Sequence, residues 1–146
     1  MVTAKQLMNT SVITISPDED VCEAMRMMAL NNITGLPVID DDGTLLGIIT
    51  EKDILVLLCN SLEDAGMDRA IGTVGQFMTR HVVCFGPADN LADIAECLST
   101  NDFRRVPILD HGKLVGIISR RDVIKHIRDI RQRDEVLTDS ILEILY

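Results

Sequence analysis

The chain has 146 residues, 47% of them hydrophobic, and a mean hydropathy of +0.20, which excludes disorder of the low-hydrophobicity kind. Trp is absent and only 3% of residues are aromatic, so side chains on which nucleic-acid bases stack are nearly missing. The formal net charge of −9 repels polyphosphate backbones and anionic lipid heads, which excludes general binding to nucleic acids and membrane surfaces.

Targeting signals and metal ligands are not expected in this sequence. The N-terminus lacks the charged and apolar regions of a signal peptide, and the apolar runs are too short to cross a bilayer. The four cysteines form no CxxC pair, and the three histidines show no ligand spacing. We therefore expect a cytoplasmic protein with reduced cysteines, no metal site and no membrane insertion.

The first half of the chain shows a strand, a helix, a hairpin and a second helix. VITISP at 12–17 is a β-branched run stopped by proline, which predicts a strand. Apolar residues at helical spacing follow over 21–29, after three acidic residues that suit a helix N-terminus. LPVID-DDG-TLLGIIT at 36–50 predicts a hairpin with an Asp/Gly turn, and a helix follows from Glu51 to about Leu62.

The second half repeats this order. Residues 61–73, with Ser, Asp and two glycines, are predicted to be a linker. VVCFGP at 82–87 predicts a strand, Leu91 to Leu98 a helix, and VPILD-HG-KLVGIIS at 106–119 a hairpin. A long helix with apolar residues at helical spacing is expected from Arg120 onward.

The two halves are an internal repeat. Shifting the chain by 70 residues aligns Pro37 with Pro107, and a shift of 69 after the turn aligns Gly47 with Gly116. The unit is β-α-β-β-α, so we predict an α/β fold of the α+β type, with two repeats packed as one pseudo-two-fold globule and a C-terminal helix. The expected boundaries are 1–60 for the first repeat, 61–73 for the linker, 74–127 for the second repeat and 128–146 for the helical extension.

Both repeats end in the motif G-h-h-[ST]-x-x-D, where h is apolar: GIITEKD at 47–53 and GIISRRD at 116–122. With the proline before an apolar strand in each repeat, the chain resembles a tandem pair of CBS domains, often called a Bateman module, from about Ala4 to Ile127. The resemblance implies a sensor rather than an enzyme. It also implies an adenine ligand between the repeats: AMP, ADP, ATP, NAD or S-adenosylmethionine.

The resemblance gives the repeated motif a role in holding a ribose. It implies that Asp122, and Asp53 in the first repeat, accept hydrogen bonds from ribose hydroxyls, while Ser119 and Thr50 support the sugar or a phosphate. The plain alternative is that each pair only caps the helix that begins there.

Basic residues distinguish the second repeat from the first. Arg104 and Arg105 stand where the first repeat has a threonine and a glycine, and Arg120 and Arg121 stand where it has Glu51 and Lys52. Guanidinium groups pair with two phosphate oxygens, so Arg104, Arg105 and Arg121 are candidate phosphate ligands. The alternative is a solvated basic edge that pairs with the many acids.

The first cleft, without paired arginines, is left with three possibilities. It could bind adenosine weakly, bind a ligand whose phosphates reach the second repeat, or stay empty. For the adenine, apolar backbone near Ile13, Val83 and Val106 is the expected surface, although each of these positions is also ordinary strand core.

The leading hypothesis is a regulatory sensor that binds an AMP-like adenine nucleotide and signals to a partner in trans. The alternative is a CBS-pair dimerisation or interaction module without physiological nucleotide binding. The apolar face of the C-terminal helix must be buried, either against its own domain or in a dimer. The resemblance favours a homodimer, because CBS pairs commonly form two-fold dimers through their helices. Catalysis is not expected, since the sequence has no nucleophile–base pair, no Walker loop and no metal-ligand cluster.

Overall fold

Each repeat folds as a short helix, a longer helix, an antiparallel hairpin and a third helix. The computed structural model describes residues 1–61 and 71–145, with side chains described for 1–59 and 71–133. The elements of the first repeat are α1 (Ala4–Leu7), α2 (Val21–Asn31), β1 (Gly35–Ile39), β2 (Leu45–Thr50) and α3 (Glu51–Ser61). Those of the second are α4 (Val74–Phe77), α5 (Leu91–Thr100), β3 (Arg105–Asp110), β4 (Lys113–Ser119) and α6 (Arg120–Leu145). The mixed α/β class predicted from the sequence is confirmed.

The long helix of each repeat begins at a residue that caps it. The carboxylate of Asp20 accepts a hydrogen bond of 2.7 Å from the amide of Cys22, and the Asn90 side chain accepts one of 2.9 Å from Ala92. These bonds satisfy amides that have no partner within the helix. Both helices then bury one apolar face, so the helical spacing in the sequence is confirmed at α2 and α5.

The two hairpins follow the predicted turns. β1 pairs with β2 so that Gly35 faces Thr50, and β3 pairs with β4 so that Arg105 faces Ser119. A glycine precedes the second strand in both turns, Gly43 two positions before Leu45 with a φ of 82° and Gly112 directly before Lys113 with a φ of 80°. A left-handed backbone is cheap only for glycine, so these residues fix the turn and the register of each hairpin.

The predicted strands over 12–17 and 82–87 are wrong as continuous strands. Each segment makes a single parallel bridge, Ile15 with Val38 and Phe85 with Ile108. The residue that would donate the next hydrogen bond of the ladder lies two positions later. It is Pro17 in the first repeat and Pro87 in the second, and proline has no N–H group to donate. The ladder therefore stops after one residue in both repeats.

The first turn of each repeat packs on the other repeat. In α1, the amide of Ala4 donates to the carbonyl of Asp89 at 2.9 Å, and Ala4 is fully buried in the apolar core of the second repeat. In α4, the amide of Val74 donates to the carbonyl of Glu19 at 2.8 Å, and Val74 is fully buried in the core of the first repeat. Each core is therefore completed by a segment from the other half of the chain.

The predicted linker and C-terminal extension are only partly described. Residues 62–70 of the predicted linker lie outside the described residues, and α3 ends at Ser61. α6 crosses the predicted boundary between residues 127 and 128 as one continuous helix. Within the described residues, no helix combines the length and the apolar character needed to span a bilayer.

Candidate functional site

A cavity of about 440 Å³ lies between the two repeats, and we call it the inter-repeat cavity. From the first repeat it is lined by Thr34, Gly35, Ile48, Thr50, Glu51 and Lys52. From the second repeat it is lined by Thr79, His81, Val82, Val83, Asp102, Phe103, Arg104 and Arg105. Its walls therefore combine part of the first repeat's G-h-h-T-x-x-D motif with Arg104 and Arg105 of the second repeat.

The motif of the first repeat lies where β2 ends and α3 begins. Oδ2 of Asp53 accepts hydrogen bonds from the amide of Thr50 at 2.9 Å and from its hydroxyl at 3.1 Å. The amide of Asp53 in turn donates to the Thr50 hydroxyl at 3.3 Å. This reciprocal pair is the geometry of a capping box, and it fixes the carboxylate beside the cavity wall.

The motif of the second repeat has the same local geometry. Oδ2 of Asp122 accepts from the amide of Ser119 at 2.9 Å, and the amide of Asp122 donates to the Ser119 hydroxyl at 3.2 Å. The helix-capping role that was the plain alternative for both motifs is therefore present in the structure. A capping carboxylate keeps lone pairs for a further donor, so capping does not exclude ligand binding.

Arg104 and Arg105, which we call the arginine pair, line the inter-repeat cavity. Arg105 is the first residue of β3, and Arg104 directly precedes the strand. Neither makes a salt bridge with any residue whose side chain the structure describes. Burial lowers the pKa of the half-buried Arg105 guanidinium, the nearby charge of Asp122 raises it, and the positive charge of Arg104 lowers it further. A partly desolvated cation without a salt bridge favours the approach of an anion.

Four predicted site residues meet in this one cavity: Thr50, Val83, Arg104 and Arg105. Asp53 adjoins it through Thr50. In the sequence, Thr50 belongs to the first repeat and the arginine pair belongs to the second. The pseudo-two-fold packing brings the arginines to the motif of the first repeat.

The other predicted site residues lie outside the lining of this cavity. Val106 is fully buried in the core of the second repeat, and Ile13 packs against the core of the first. Ser119 and Asp122 lie at the junction of β4 and α6, and Arg121 is exposed on the first turn of α6. Their roles as ligands stay predictions.

Sequence reasoning missed Thr79, whose hydroxyl donates a hydrogen bond of 3.0 Å to Oδ1 of Asp53. It also missed His81 and the acidic Asp102 in the cavity wall. The repeat alignment could have drawn attention to Thr79, because this residue directly follows Phe77 and Met78, which align with Leu7 and Met8. The alignment gives no sign that this segment crosses to the other repeat.

A family model places these observations in a known group of proteins. The model of the CBS domain matches residues 4–60 and 74–129. The chain belongs to the CBS domain family. The two matches correspond to the two repeats, so the tandem CBS pair expected from the repeated motif is confirmed.

Solved structures similar to this CBS pair include complexes with adenine compounds. The structure of CBSX2 in complex with AMP has a TM-score of 0.79 and 32% identity, and the match covers 90% of this chain and 99% of that one. The CBS pair of MJ0100, in complex with 5'-methylthioadenosine and S-adenosyl-L-methionine, has a TM-score of 0.74 and 25% identity, with coverage of 88% and 98%.

Relatives by sequence include longer proteins. MJ1225 of Methanocaldococcus jannaschii is 29% identical over 140 residues, which is 96% of this chain and 48% of MJ1225. Inosine-5'-monophosphate dehydrogenase of the same organism is 36% identical over 123 residues, which is 84% of this chain and 23% of the enzyme. The chain thus spans about half of the first relative and about a quarter of the second.

Proposed function

We propose that this CBS pair is a non-catalytic sensor that binds an AMP-like adenine nucleotide in the inter-repeat cavity. The observation that carries the proposal is the arginine pair, which lines the cavity without a salt bridge to any described side chain. A phosphate group would supply a salt-bridge partner for the arginine pair, and a guanidinium binds it through two parallel hydrogen bonds.

The size and the walls of the cavity suit a nucleotide. Its volume of about 440 Å³ is within the range of small-molecule sites. Ile48, Val82 and Val83 supply an apolar wall for an adenine ring, and the Thr50–Asp53 motif supplies acceptors for a ribose. Of the three possibilities left open for the first cleft, this geometry favours a ligand whose phosphate reaches the second repeat.

The charges in the wall favour a ligand with few phosphates. Lys52, Arg104 and Arg105 are opposed by Glu51 and Asp102, which leaves three cations against two anions. Such a cavity compensates the charge of one phosphate better than that of a triphosphate chain, because the two acids repel additional phosphates. AMP is therefore proposed ahead of ATP.

A second ligand position is proposed at the motif of the second repeat. Asp122 and Ser119 would hold the ribose there, with Ile13 and Val106 near the adenine and Arg121 near the phosphate. The support is the capping geometry that the two motifs share, in which the carboxylate accepts from the amide three residues earlier and the amide of the aspartate donates to the hydroxyl. The binding stoichiometry would show whether one position or both positions are occupied.

A sensor must also transmit its ligand-bound state to another protein. Nucleotide binding between the repeats would favour one arrangement of the two halves, and a partner in trans would recognise that arrangement, provided that the ligand binds the two arrangements with different affinity. We place this function in the cytoplasm. ADP, ATP, NAD and S-adenosylmethionine are the ligands to be compared with AMP.

Calorimetric titration tests the proposal. The wild-type protein is titrated with AMP, ATP, NAD and S-adenosylmethionine, beside the variant Arg104→Gln/Arg105→Gln. The matched control is Arg131→Gln/Arg133→Gln, which removes the same charge from exposed residues of α6. We expect micromolar AMP binding that the first variant loses and the control keeps. Absence of binding by every ligand, or equal binding by both variants, would overturn the proposal.

A dimerisation module is a second candidate function, because apolar side chains are exposed on the outer helices. On α6, Ile124, Ile127 and Ile130 are 68%, 49% and 40% exposed. On α3, Leu55 and Val56 are 60% and 55% exposed. A homodimer that covers these side chains is compatible with nucleotide binding, since none of them lines the inter-repeat cavity.

A further inference from the structure

The two carboxylate oxygens of Asp53 accept different numbers of hydrogen bonds. Oδ2 accepts two hydrogen bonds, both from Thr50. Oδ1 accepts one hydrogen bond, from the hydroxyl of Thr79 at 3.0 Å. A carboxylate oxygen has two lone pairs, so a ligand hydroxyl would find its acceptor on Oδ1, beside Thr79.

Thr79 is itself held by the backbone of β2. The amide of Ile48 donates to the carbonyl of Thr79 at 2.9 Å, and the amide of Thr79 donates to the carbonyl of Ile48 at 2.8 Å. Gly47 allows this approach, since a Cβ at that position would be 2.5 Å from the Thr79 carbonyl oxygen. The hydroxyl that contacts Asp53 is therefore carried by a segment with little freedom to move.

The second repeat lacks this contact. The residue that corresponds to Thr79 is Asn9, whose backbone bonds to Ile117 in the same way, at 2.9 and 3.0 Å. The Asn9 side chain accepts a hydrogen bond from the amide of Ser11 instead, and among the described residues no hydrogen bond joins it to Asp122. The contact between Thr79 and Asp53 is thus a specific feature of the inter-repeat cavity.

We infer that Thr79 is a positioning residue for the ligand: its hydroxyl orients Oδ1 of Asp53 so that this oxygen accepts a hydrogen bond from one ribose hydroxyl. The inference rests on the proposed function and adds a residue and a specificity to it. Since Oδ2 already accepts two hydrogen bonds from Thr50, the carboxylate can accept a hydrogen bond from one ribose hydroxyl, through Oδ1. The site should then distinguish AMP from the deoxy analogue that lacks that hydroxyl.

The test is a calorimetric comparison of wild type and Thr79→Val with AMP, 2'-deoxy-AMP and 3'-deoxy-AMP. Valine keeps the β-branched shape and removes the hydroxyl. The matched control is Thr44→Val, which removes a hydroxyl that accepts from Lys113 at the hairpin turns, away from the cavity. We expect Thr79→Val to weaken AMP binding about tenfold, as for loss of one hydrogen bond to a charged group. Thr44→Val should bind as wild type.

The deoxy analogues separate positioning from a general structural role. If Thr79 acts through Asp53, one of the two deoxy analogues binds the wild type and Thr79→Val with equal affinity. That analogue lacks the ribose hydroxyl that would donate a hydrogen bond to Oδ1, so the orientation of Oδ1 no longer affects its binding. A uniform loss for all three ligands, or unchanged AMP binding by Thr79→Val, would overturn the inference while the proposed function stands. If the wild type binds none of the three ligands, the proposed function fails and the inference fails with it.

Discussion

Gly47 of β2 lies against the backbone of Thr79, so closely that a Cβ at residue 47 would be 2.5 Å from the Thr79 carbonyl oxygen. The matching Gly116 of β4 lies against Met8, where a Cβ would be 2.6 Å from the sulfur atom. In each repeat, the glycine that opens the G-h-h-[ST]-x-x-D motif is the point at which a segment of the other repeat crosses the hairpin. The glycine thus serves packing, while Thr50 of the same motif in the first repeat lines the inter-repeat cavity.

Replacing Gly47 by alanine should destabilise the protein. The new methyl group would meet a backbone carbonyl, and the segment from Thr73 to Thr79 would have to shift with it. We expect Gly47→Ala to lower the free energy of unfolding by about 2 kcal/mol, as for overpacked sites. Chemical denaturation followed by circular dichroism measures this loss.

Gly86→Ala is the matched control, and Gly116→Ala is the equivalent change in the second repeat. At residue 116 a Cβ would be 2.6, 2.7 and 2.9 Å from the Sδ, Cγ and Cβ atoms of Met8, and the Cβ atom moves only with the backbone, so a loss similar to that at residue 47 is expected. At residue 86 the nearest atoms are 3.6 and 3.8 Å away, and the change should stay within about 0.5 kcal/mol. Equal losses for all three variants would contradict the packing role of Gly47.

The exchanged first turns predict that a residue near the N-terminus stabilises the second repeat. Ala4→Asp would place a carboxylate in the core of that repeat, where Ala4 has no exposed surface. We expect a loss of about 3 kcal/mol or more in the free energy of unfolding. The neighbouring Lys5 is exposed, so Lys5→Asp should cost less than about 0.5 kcal/mol. Similar losses for the two variants would show that the N-terminal turn is not packed in this core.

Cys84 should react slowly with iodoacetamide in the folded protein. Burial raises the pKa of its thiol, and the thiolate is the reactive form. At pH 8 the thiolate fraction of Cys84 is therefore reduced, and alkylation should accelerate as the pH rises. The exposed Cys59 should be modified first. Mass spectrometry of timed digests measures both rates, and equally fast modification of Cys84 at pH 8 would disprove the prediction.

The exposed isoleucines of α6 predict that one charge can disrupt self-association. Ile124→Glu should convert a dimer into a monomer in sedimentation-velocity experiments, because a desolvated carboxylate opposes the burial of an apolar surface. Lys125→Glu, an exposed neighbour on the same helix, is the control and should remain dimeric. A monomeric wild type at tens of micromolar concentration, or two dimeric variants, would contradict a dimer through this face.

The local structure was largely predictable from the sequence. The spacing of apolar residues predicted α2 and α5, and Gly43 and Gly112 marked the hairpin turns, because these signals depend on a few neighbouring residues. The short helices α1 and α4 were missed, although each is preceded by a threonine three positions before a glutamine, Thr3 and Gln6 or Thr73 and Gln76. The strands ending at Pro17 and Pro87 were overestimated, because a β-branched run indicates extended backbone but not how many residues find a partner.

The sequence by itself determined the repeat, the CBS family and the residue types of the candidate site. Tertiary structure alone decided that the arginine pair lines a cavity with the motif of the first repeat, and that Thr79 contacts Asp53 across 26 positions of the chain. The reason is that both contacts join residues of different repeats, and the segment that carries Thr79 crosses to the first repeat as part of the exchange of first turns. That exchange arises from the packing of two apolar cores, each completed by a segment distant in sequence, and no local pattern encodes it.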